Sequence, residues 1–287
     1  MIQRCNIWVA GGDERQGALA RMLAEDGHTV HTYGLERADG MLCERSLRGL
    51  ERADCLILPL PAAGEDGNLH TPLSAQSHSL DELMGCLRPG SLVCAGLVGP
   101  RLRELAEAQG VLLRDYFQRE ELAVLNAVPT AEGAIQIAME RLPITLHDSR
   151  VMLVGFGRIG RLLAPRLLAL GASVTVAARS HAQQAQARAM GCRTEGLEGL
   201  KEWLCSYDLL INTVPAPVLG VEELAALKEG ALVIDLASRP GGVDFASAAA
   251  LGVQTVWALS LPGKVAPVSA GHYIKETVYH IMEELGV

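Results

Sequence analysis

Short apolar runs, each closed by a polar or glycine-rich turn and followed by residues at helical spacing, alternate along the whole chain. The first part places strands near Asn6–Ala10, Thr29–Tyr33, Cys55–Leu58, Leu92–Ala95 and Val111–Tyr116. The second part repeats the scheme at Val151–Val154, Val174–Ala177, Leu209–Asn212, Leu232–Asp235 and Thr255–Ala258. Strands alternating with helices imply parallel sheets and right-handed crossovers. The repeat extends to detail. Ala53-Asp54-Cys55-Leu56-Ile57-Leu58-Pro59-Leu60-Pro61 parallels Tyr207-Asp208-Leu209-Leu210-Ile211-Asn212-Thr213-Val214-Pro215, and Leu87–Val93 parallels Leu227–Val233. Two doubly wound α/β domains are therefore expected, joined by hinge helices with a cleft between them. The expected division is 1–128 plus a returning helix 270–287 for the first domain, and 129–269 for the second.

The second domain opens on Val151-Met152-Leu153-Val154-Gly155-Phe156-Gly157-Arg158-Ile159-Gly160, an apolar strand running into Gly-x-Gly-x-x-Gly and then a helical pattern. In that setting Gly155 permits the tight turn, Gly157 lets the backbone approach a pyrophosphate, and Gly160 lets helix and strand pack closely. The helix N-terminus at Arg158 and Ile159 then offers N–H groups and a partial positive charge to the phosphates. This is the Rossmann-like signature of a dinucleotide site. A carboxylate usually follows the next strand to accept a ribose 2′-hydroxyl, but here Ala178-Arg179-Ser180-His181 occupies that place. Arg179 and the Ser180 hydroxyl suit a 2′-phosphate, which favours NADP over NAD; the alternative is that Arg179 is a solvated surface charge.

Composition narrows the classes. Across 287 residues, 49% are hydrophobic and 20% charged, as in a globular protein. Aromatics make up only 4%, so the core rests on Leu, Val, Ile and Ala. A net charge of −8 and the lack of a basic stripe argue against a nucleic-acid surface. No apolar run approaches 18 residues and no signal peptide precedes the first strand, so neither a membrane span nor secretion is expected. The cysteines (5, 43, 55, 86, 94, 192 and 205) lack a Cys-x-x-Cys pair and read as reduced, mostly buried thiols, with no disulfide frame or metal site.

The halves differ at their first loops. Val9-Ala10-Gly11-Gly12-Asp13-Glu14-Arg15-Gln16 puts Arg15 in the place of the third glycine and sets Asp13 and Glu14 where a pyrophosphate would lie. The first half thus reads as a nucleotide-type fold without its nucleotide, its polar loop suited to a small ligand or simply capping the next helix. Between the halves, Pro129 and Thr130 mark the start of a helix, which would set Asn126, Thr130 and Glu132 at the hinge. Another amphipathic helix, His272 to Leu285, is expected to cross back onto the first domain. Pro165 falls inside the helix after the glycine turn, where a kink is expected.

No nucleophile elbow, histidine metal cluster or Walker lysine is present, and a nicotinamide enzyme needs none of them. Asn212-Thr213-Val214-Pro215 is expected to run along the ribose and nicotinamide, with Leu236-Ala237-Ser238-Arg239 beside it. Lys264, isolated in a Pro- and Gly-rich segment, is the leading candidate for binding a substrate carboxylate or for proton transfer; the alternative is an ordinary surface lysine. His272 is a weaker catalytic candidate, since a histidine at a helix start is more often structural.

Together Val9–Gln16, Tyr33-Gly34-Leu35-Glu36, Asn126–Gly133, Gly155–Gly160, Asn212–Pro215, Asp235–Ser238 and Leu261–Val268 resemble the A-subunit family of dipicolinate synthase, from the first strand to the last helix. More broadly, the layout is similar to two-domain dehydrogenases of 2-hydroxy acids, shikimate and S-adenosylhomocysteine. The resemblance implies a sporulation enzyme of the mother-cell cytoplasm. It would oxidise and dehydrate 4-hydroxytetrahydrodipicolinate with NAD(P)⁺ as hydride acceptor. It also implies the flavoprotein-like B-subunit of dipicolinate synthase as partner and a homo- and hetero-oligomer. Two carboxylates on the substrate need cationic clamps; Arg15, Arg239 and Lys264 are candidates by position, with Asp13, Asn126, Thr130 and Ser269 as further substrate contacts. Two other readings stay open: another NADP-dependent dehydrogenase of the shikimate or 2-hydroxy-acid type, and a cofactor-sensing protein without catalytic activity of its own.

Overall fold

The computed structural model describes residues 4–287 apart from Asp39 and Met41. Its strands are β1 Asn6–Ala10, β2 Thr29–Tyr33, β3 Cys55–Ile57, β4 Leu92–Ala95, β5 Leu112–Asp115, β6 Arg150–Val154, β7 Ser173–Ala177, β8 Arg193–Glu195, β9 Leu209–Asn212, β10 Leu232–Asp235 and β11 Gln254–Trp257. The α-helices are α1 Glu14–Glu25, α2 Leu80–Gly85, α3 Pro100–Gln109, α4 Glu120–Arg141, α5 Arg158–Ala169, α6 His181–Ala189, α7 Val221–Ala225, α8 Phe245–Ala250, α9 Leu261–Val265 and α10 Pro267–Leu285. Two compact units result: Met1–Asn126 with Ala266–Val287, and Ala127–Val265.

In the first unit the sheet order is β2-β1-β3-β4-β5, all parallel. Alternate side chains point to opposite faces, and both faces are buried. Ile7, Val9, Ile57 and Cys94 meet Leu19 and Leu23 of α1 and Ile274, Val278 and Ile281 of α10. On the other face Trp8, Leu56, Leu58 and Val93 meet Met84 of α2 and Leu102 of α3. The second unit has the order β11-β10-β9-β6-β7-β8, again parallel. Leu153, Val176, Ile211 and Ile234 pack on Leu163 and Leu167 of α5 and on Ala131, Ala134 and Ala138 of α4. Met152, Leu210 and Val233 pack on Leu224 of α7 and Ala248 of α8. Both units are therefore doubly wound, as expected. Each strand order reverses direction once, between β1 and β3 and between β6 and β9, the points where such sheets bind ligands.

Two sequence expectations need correction. The helix expected to start at Pro129 begins nine residues earlier in the numbering, at Glu120, with Pro129 in its interior. Glu120 and Glu121 favour a helix start there. The hydrogen bond lost at Pro129 is offset by packing on both sides, Leu122 in the first unit's core and Ala131, Ala134 and Ala138 in the second's. Asn126 and Thr130 consequently lie within a continuous helix. By length and composition alone α4 could cross a membrane; those buried alanines make it a core helix instead. The second correction is that β8 was missed, because Arg193-Thr194-Glu195 has no apolar run to reveal it. α5 continues on both sides of Pro165.

The returning helix α10 is pinned to the first unit by a chain of polar contacts. The Cys5 N–H donates to Nδ1 of His28 at 3.1 Å, and Nε2 of His28 lies 3.0 Å from the Tyr279 hydroxyl. That hydroxyl donates to Asp26 at 2.7 Å, and Lys275 reaches the same oxygen at 2.6 Å. Nδ1 as acceptor assigns the Nε2–H tautomer of a neutral ring. Burial lowers the pKa of His28, and the Lys275 hydrogen bond lowers that of Asp26. Both native values are depressed, so each contribution is fully present above the unfolded value and is lost as pH falls through the native one. The His28 contribution therefore declines below about pH 6.5 and that of Asp26 below about pH 4. Denaturant unfolding from pH 7.5 to 5 should show stability falling with pH, and His28→Asn should flatten that decline. Parallel profiles for variant and wild type would contradict this account.

Candidate functional site

In the second unit the glycine turn leaves β6 at the switch point. Gly155 has φ +94°, and a Cβ there would lie 2.4 Å from Oγ1 of Thr213. A Cβ on Gly160 would come within 2.6 Å of the Gly155 carbonyl oxygen, so α5 packs on the turn backbone to backbone. Gly157 is different: a Cβ there meets nothing within 4 Å. It is the N-cap of α5 and supplies no side-chain cap, so the first-turn N–H groups look for an acceptor outside the helix. An open approach over Gly157 to an uncapped helix start is what a pyrophosphate needs. Ile159 packs on the core below.

The neighbouring loops are held by a buried network. Thr213 donates from both N and Oγ1 to the Val154 carbonyl, at 2.9 and 3.0 Å, tying β9 to β6. Asn212 and Asp235 are fully buried. The Asn212 amide donates to Asp235 at 2.8 Å and to the Val214 carbonyl at 3.0 Å, and its oxygen accepts from Val214 N at 3.0 Å. Asp235 also accepts from Ala237 N at 3.0 Å and Gly242 N at 2.8 Å. Both loops expected to face the cofactor, Thr213–Pro215 and Leu236–Ala237, thus start from one Asn–Asp pair. Leu236 and Ala237 are buried and Pro215 is exposed.

At the end of β7, Arg179 and Ser180 are exposed. Ser180 is the N-cap of α6 but its hydroxyl makes no capping bond. The Arg179 guanidinium has no partner among the described residues. In the sheet, β8 sets Glu195 in register with Ala177. Gln184 ties this corner, donating to the carbonyls of Ala178 at 2.8 Å and Glu195 at 3.4 Å. Lys264 lies on α9, exposed and without a partner among the described residues, and Arg239 is exposed beyond β10. Ser269 and His272 belong to α10 in the first unit. Ser269 is exposed, and Nε2 of His272 stands 3.4 Å from Glu276 one turn along the same helix, a surface pair of modest strength.

The corresponding loop of the first unit is built differently. β1 ends at Ala10 and α1 starts at Glu14, as β6 ends at Val154 and α5 starts at Arg158. Counting from the strand ends, Asp13 stands in the place of Gly157 and Gln16, not Arg15, in that of Gly160; the expected alignment was one residue off because two glycines precede Asp13. Asp13 caps α1, accepting from Arg15 N at 3.0 Å. The Arg15 side chain folds back on it, with Nε 2.8 Å from Oδ1 and Nη2 2.8 Å from Oδ2, and Nη2 also reaches the Leu60 carbonyl at 2.6 Å. Burial pulls the Asp13 pKa up, but the Arg15 hydrogen bonds and charge outweigh it and hold the carboxyl below its ordinary value. Arg15, expected as a free cation, is thus already half-committed to Asp13. His70, which no spacing in the sequence singles out, joins this group: its carbonyl accepts from Gly12 N at 2.7 Å.

Residues 6–117 match the model of the N-terminal domain of the dipicolinate synthase A-subunit, and residues 127–250 that of the D-isomer specific 2-hydroxyacid dehydrogenase NAD-binding domain. The chain is 32% identical to the dipicolinate synthase A-subunit of Bacillus subtilis, over 99% of its own length and 98% of the relative's. The chain belongs to the A-subunit family of dipicolinate synthase. The crystal structure of the dipicolinate synthase A-subunit from Bacillus halodurans superposes with a TM-score of 0.89 at 30% identity, covering 96% of this chain and 97% of that one. A transhydrogenase from Sinorhizobium meliloti, at 17% identity and TM-score 0.70 over 97% and 94% of the two chains, shares the fold. As a member of this family, the chain carries a dehydrogenase-type domain for a nicotinamide dinucleotide in its second unit. The first unit is the part that matches the A-subunit's own N-terminal domain model.

Proposed function

We propose that this chain oxidises and dehydrates 4-hydroxytetrahydrodipicolinate to dipicolinate during sporulation, in the mother-cell cytoplasm and together with a flavoprotein-like B-subunit. The observation that carries the reading is the full-length likeness to the dipicolinate synthase A-subunit, which includes the distinctive first unit. A bound nicotinamide accepts the hydride in such a domain. Gly155, Gly157, Arg158, Ile159 and Gly160 hold the pyrophosphate, and the Asn212–Asp235 pair positions the loops Thr213–Pro215 and Leu236–Ala237 along it. Lys264 and Arg239 present cations to a substrate carboxylate. Arg179 and Ser180 recognise a 2′-phosphate, which makes NADP the preferred cofactor.

The decisive experiment supplies the aldolase product in situ with NADP⁺ or NAD⁺, with and without the flavoprotein-like partner, and follows reduced-cofactor and pyridine absorbance. Matched growth of both signals is the expected result; two flat traces with the partner present would leave a dehydrogenase of another substrate. Arg179→Ala should weaken NADP binding about tenfold or more, the worth of a charge-assisted hydrogen bond, and change NAD binding little. Equal losses for both cofactors would remove Arg179 from the 2′-phosphate site.

A further inference from the structure

The register of the second unit's sheet lines up one residue from each of five strands along its carboxyl edge. Ala177 of β7, Val154 of β6, Asn212 of β9, Asp235 of β10 and Trp257 of β11 are successive partners in that row. The glycine turn follows Val154, and the residues proposed for a 2′-phosphate follow Ala177, so the adenosine half of a dinucleotide takes the β7 side of the switch point. The nicotinamide half then takes the side of β9, β10 and β11. Trp257 ends the row on that side. Its indole is half-buried, and neither of the unit's two apolar cores includes it. Specific contacts hold it instead. Nε1 donates to the Ala237 carbonyl at 3.0 Å, across 20 residues of chain. The ring stacks on Phe245, with centroids 5.1 Å apart and planes at 20°. Gly241 lies against the same ring, since a Cβ there would come within 3.2 Å of Cζ2.

We propose that Trp257 is a positioning residue for the nicotinamide ring, acting through the turn Ala237–Gly241 that it holds at the sheet edge. Both backbone polar groups of Ala237 are engaged: its N–H donates to Asp235 at 3.0 Å, and its carbonyl accepts from the indole. Beyond it Ser238, Arg239 and Pro240 are exposed, and the Gly241 N–H closes the turn on the Ser238 carbonyl at 2.8 Å. Asp235 anchors the turn through the N–H groups of Ala237 and Gly242, one on each side of the exposed residues. Trp257 adds a hydrogen bond at the Ala237 carbonyl and a wall at Gly241, so the turn meets the cofactor in one orientation and needs no further ordering when the dinucleotide binds. The stacked Phe245 sets the plane in which the indole N–H points. The role rests on the reading above that Leu236–Ala237 lies along the cofactor, and it concerns the nicotinamide half alone.

The test uses the full chain and separates the two halves of the cofactor. The reduced dinucleotide that wild type binds more tightly, NADH or NADPH, is titrated beside the fragment that lacks nicotinamide, ADP-ribose or its 2′-phosphate. Trp257→Phe keeps a ring on Phe245 and removes the N–H. Its dissociation constant for the dinucleotide should rise about tenfold, the worth of one hydrogen bond, while the fragment stays within about twofold of wild type. A loosened fold weakens both ligands together, so only the selective loss supports the role. Phe245→Leu keeps the N–H but frees the plane of the indole, and should show a selective loss of about threefold. Where Trp257→Phe does not fold, this second variant decides: a selective loss upholds the proposal, and unchanged or equally weakened binding overturns it. A folded Trp257→Phe chain that binds the dinucleotide as wild type does, or loses both ligands equally, overturns the proposal and leaves the dinucleotide site standing. Wild type that binds neither dinucleotide removes the site itself, and the role of Trp257 with it.

Discussion

Asp235→Ala will destabilise the second unit by about 3–5 kcal/mol, since each buried donor left unsatisfied costs about 1–3 kcal/mol. Asp235 is fully buried and accepts from Asn212, Ala237 N and Gly242 N. Alanine leaves Ala237 N, Gly242 N and one of the two Asn212 amide hydrogens without an acceptor. Asp235→Asn keeps one acceptor oxygen but turns an NH₂ toward a backbone N–H, so its loss should fall between alanine and wild type. Urea unfolding measures both. A loss under about 1 kcal/mol for the alanine variant would mean that the two loops hold their shape without the pair. Where the variant still folds, nicotinamide binding should weaken with stability, since the same carboxylate fixes Ala237 and, through Asn212, Val214.

Gly157→Ala should separate ligand binding from folding in a way its two neighbours cannot. Gly157 has φ −84° and open space where a Cβ would stand, so alanine should leave stability within about 0.5 kcal/mol. A pyrophosphate seated on the uncapped start of α5 would meet that methyl group, and nicotinamide dinucleotide affinity should drop about tenfold or more. Gly160→Ala is the structural control. Its Cβ would sit 2.6 Å from the Gly155 carbonyl oxygen, so α5 must shift, at about 1–3 kcal/mol, before any ligand is considered. Calorimetric melting and cofactor titration on both variants give the comparison. Unimpaired binding by a well-folded Gly157→Ala chain would remove the pyrophosphate from this turn.

Much of the architecture was legible because it rests on local chemistry. Parallel strands buried on both faces must be apolar, and β1, β3, β4, β6, β9 and β10 carry such a run, whereas the edge strand Arg193–Glu195 carries none. The glycine turn was legible for the same reason. Its spacing meets three separate steric demands within six residues of chain, and φ +94° at Gly155, the open side of Gly157 and the contact at Gly160 answer them in order. Pro129 misled because its local cost as a helix breaker is real, yet buried residues on either side of it outweigh one missing hydrogen bond.

The first unit's loop shows where local reading ends. Asp13 and Arg15 were recognisable as polar residues at a sheet edge. That Arg15 is buried and bound to Leu60, 45 residues away, follows only from β1 and β3 being neighbours in the sheet. His70 and its bond to Gly12 likewise come from the path of the segment after β3, and Glu195 reaches Ala177 through an edge strand without an apolar pattern. Sequence alone determined the two α/β units, the returning helix and the dinucleotide turn, since each depends on periodicity or on sterics within a few residues. The tertiary structure decided which polar groups are paired, which are buried without a partner and which loops share a switch point, because those depend on strand order and packing between residues far apart in the chain.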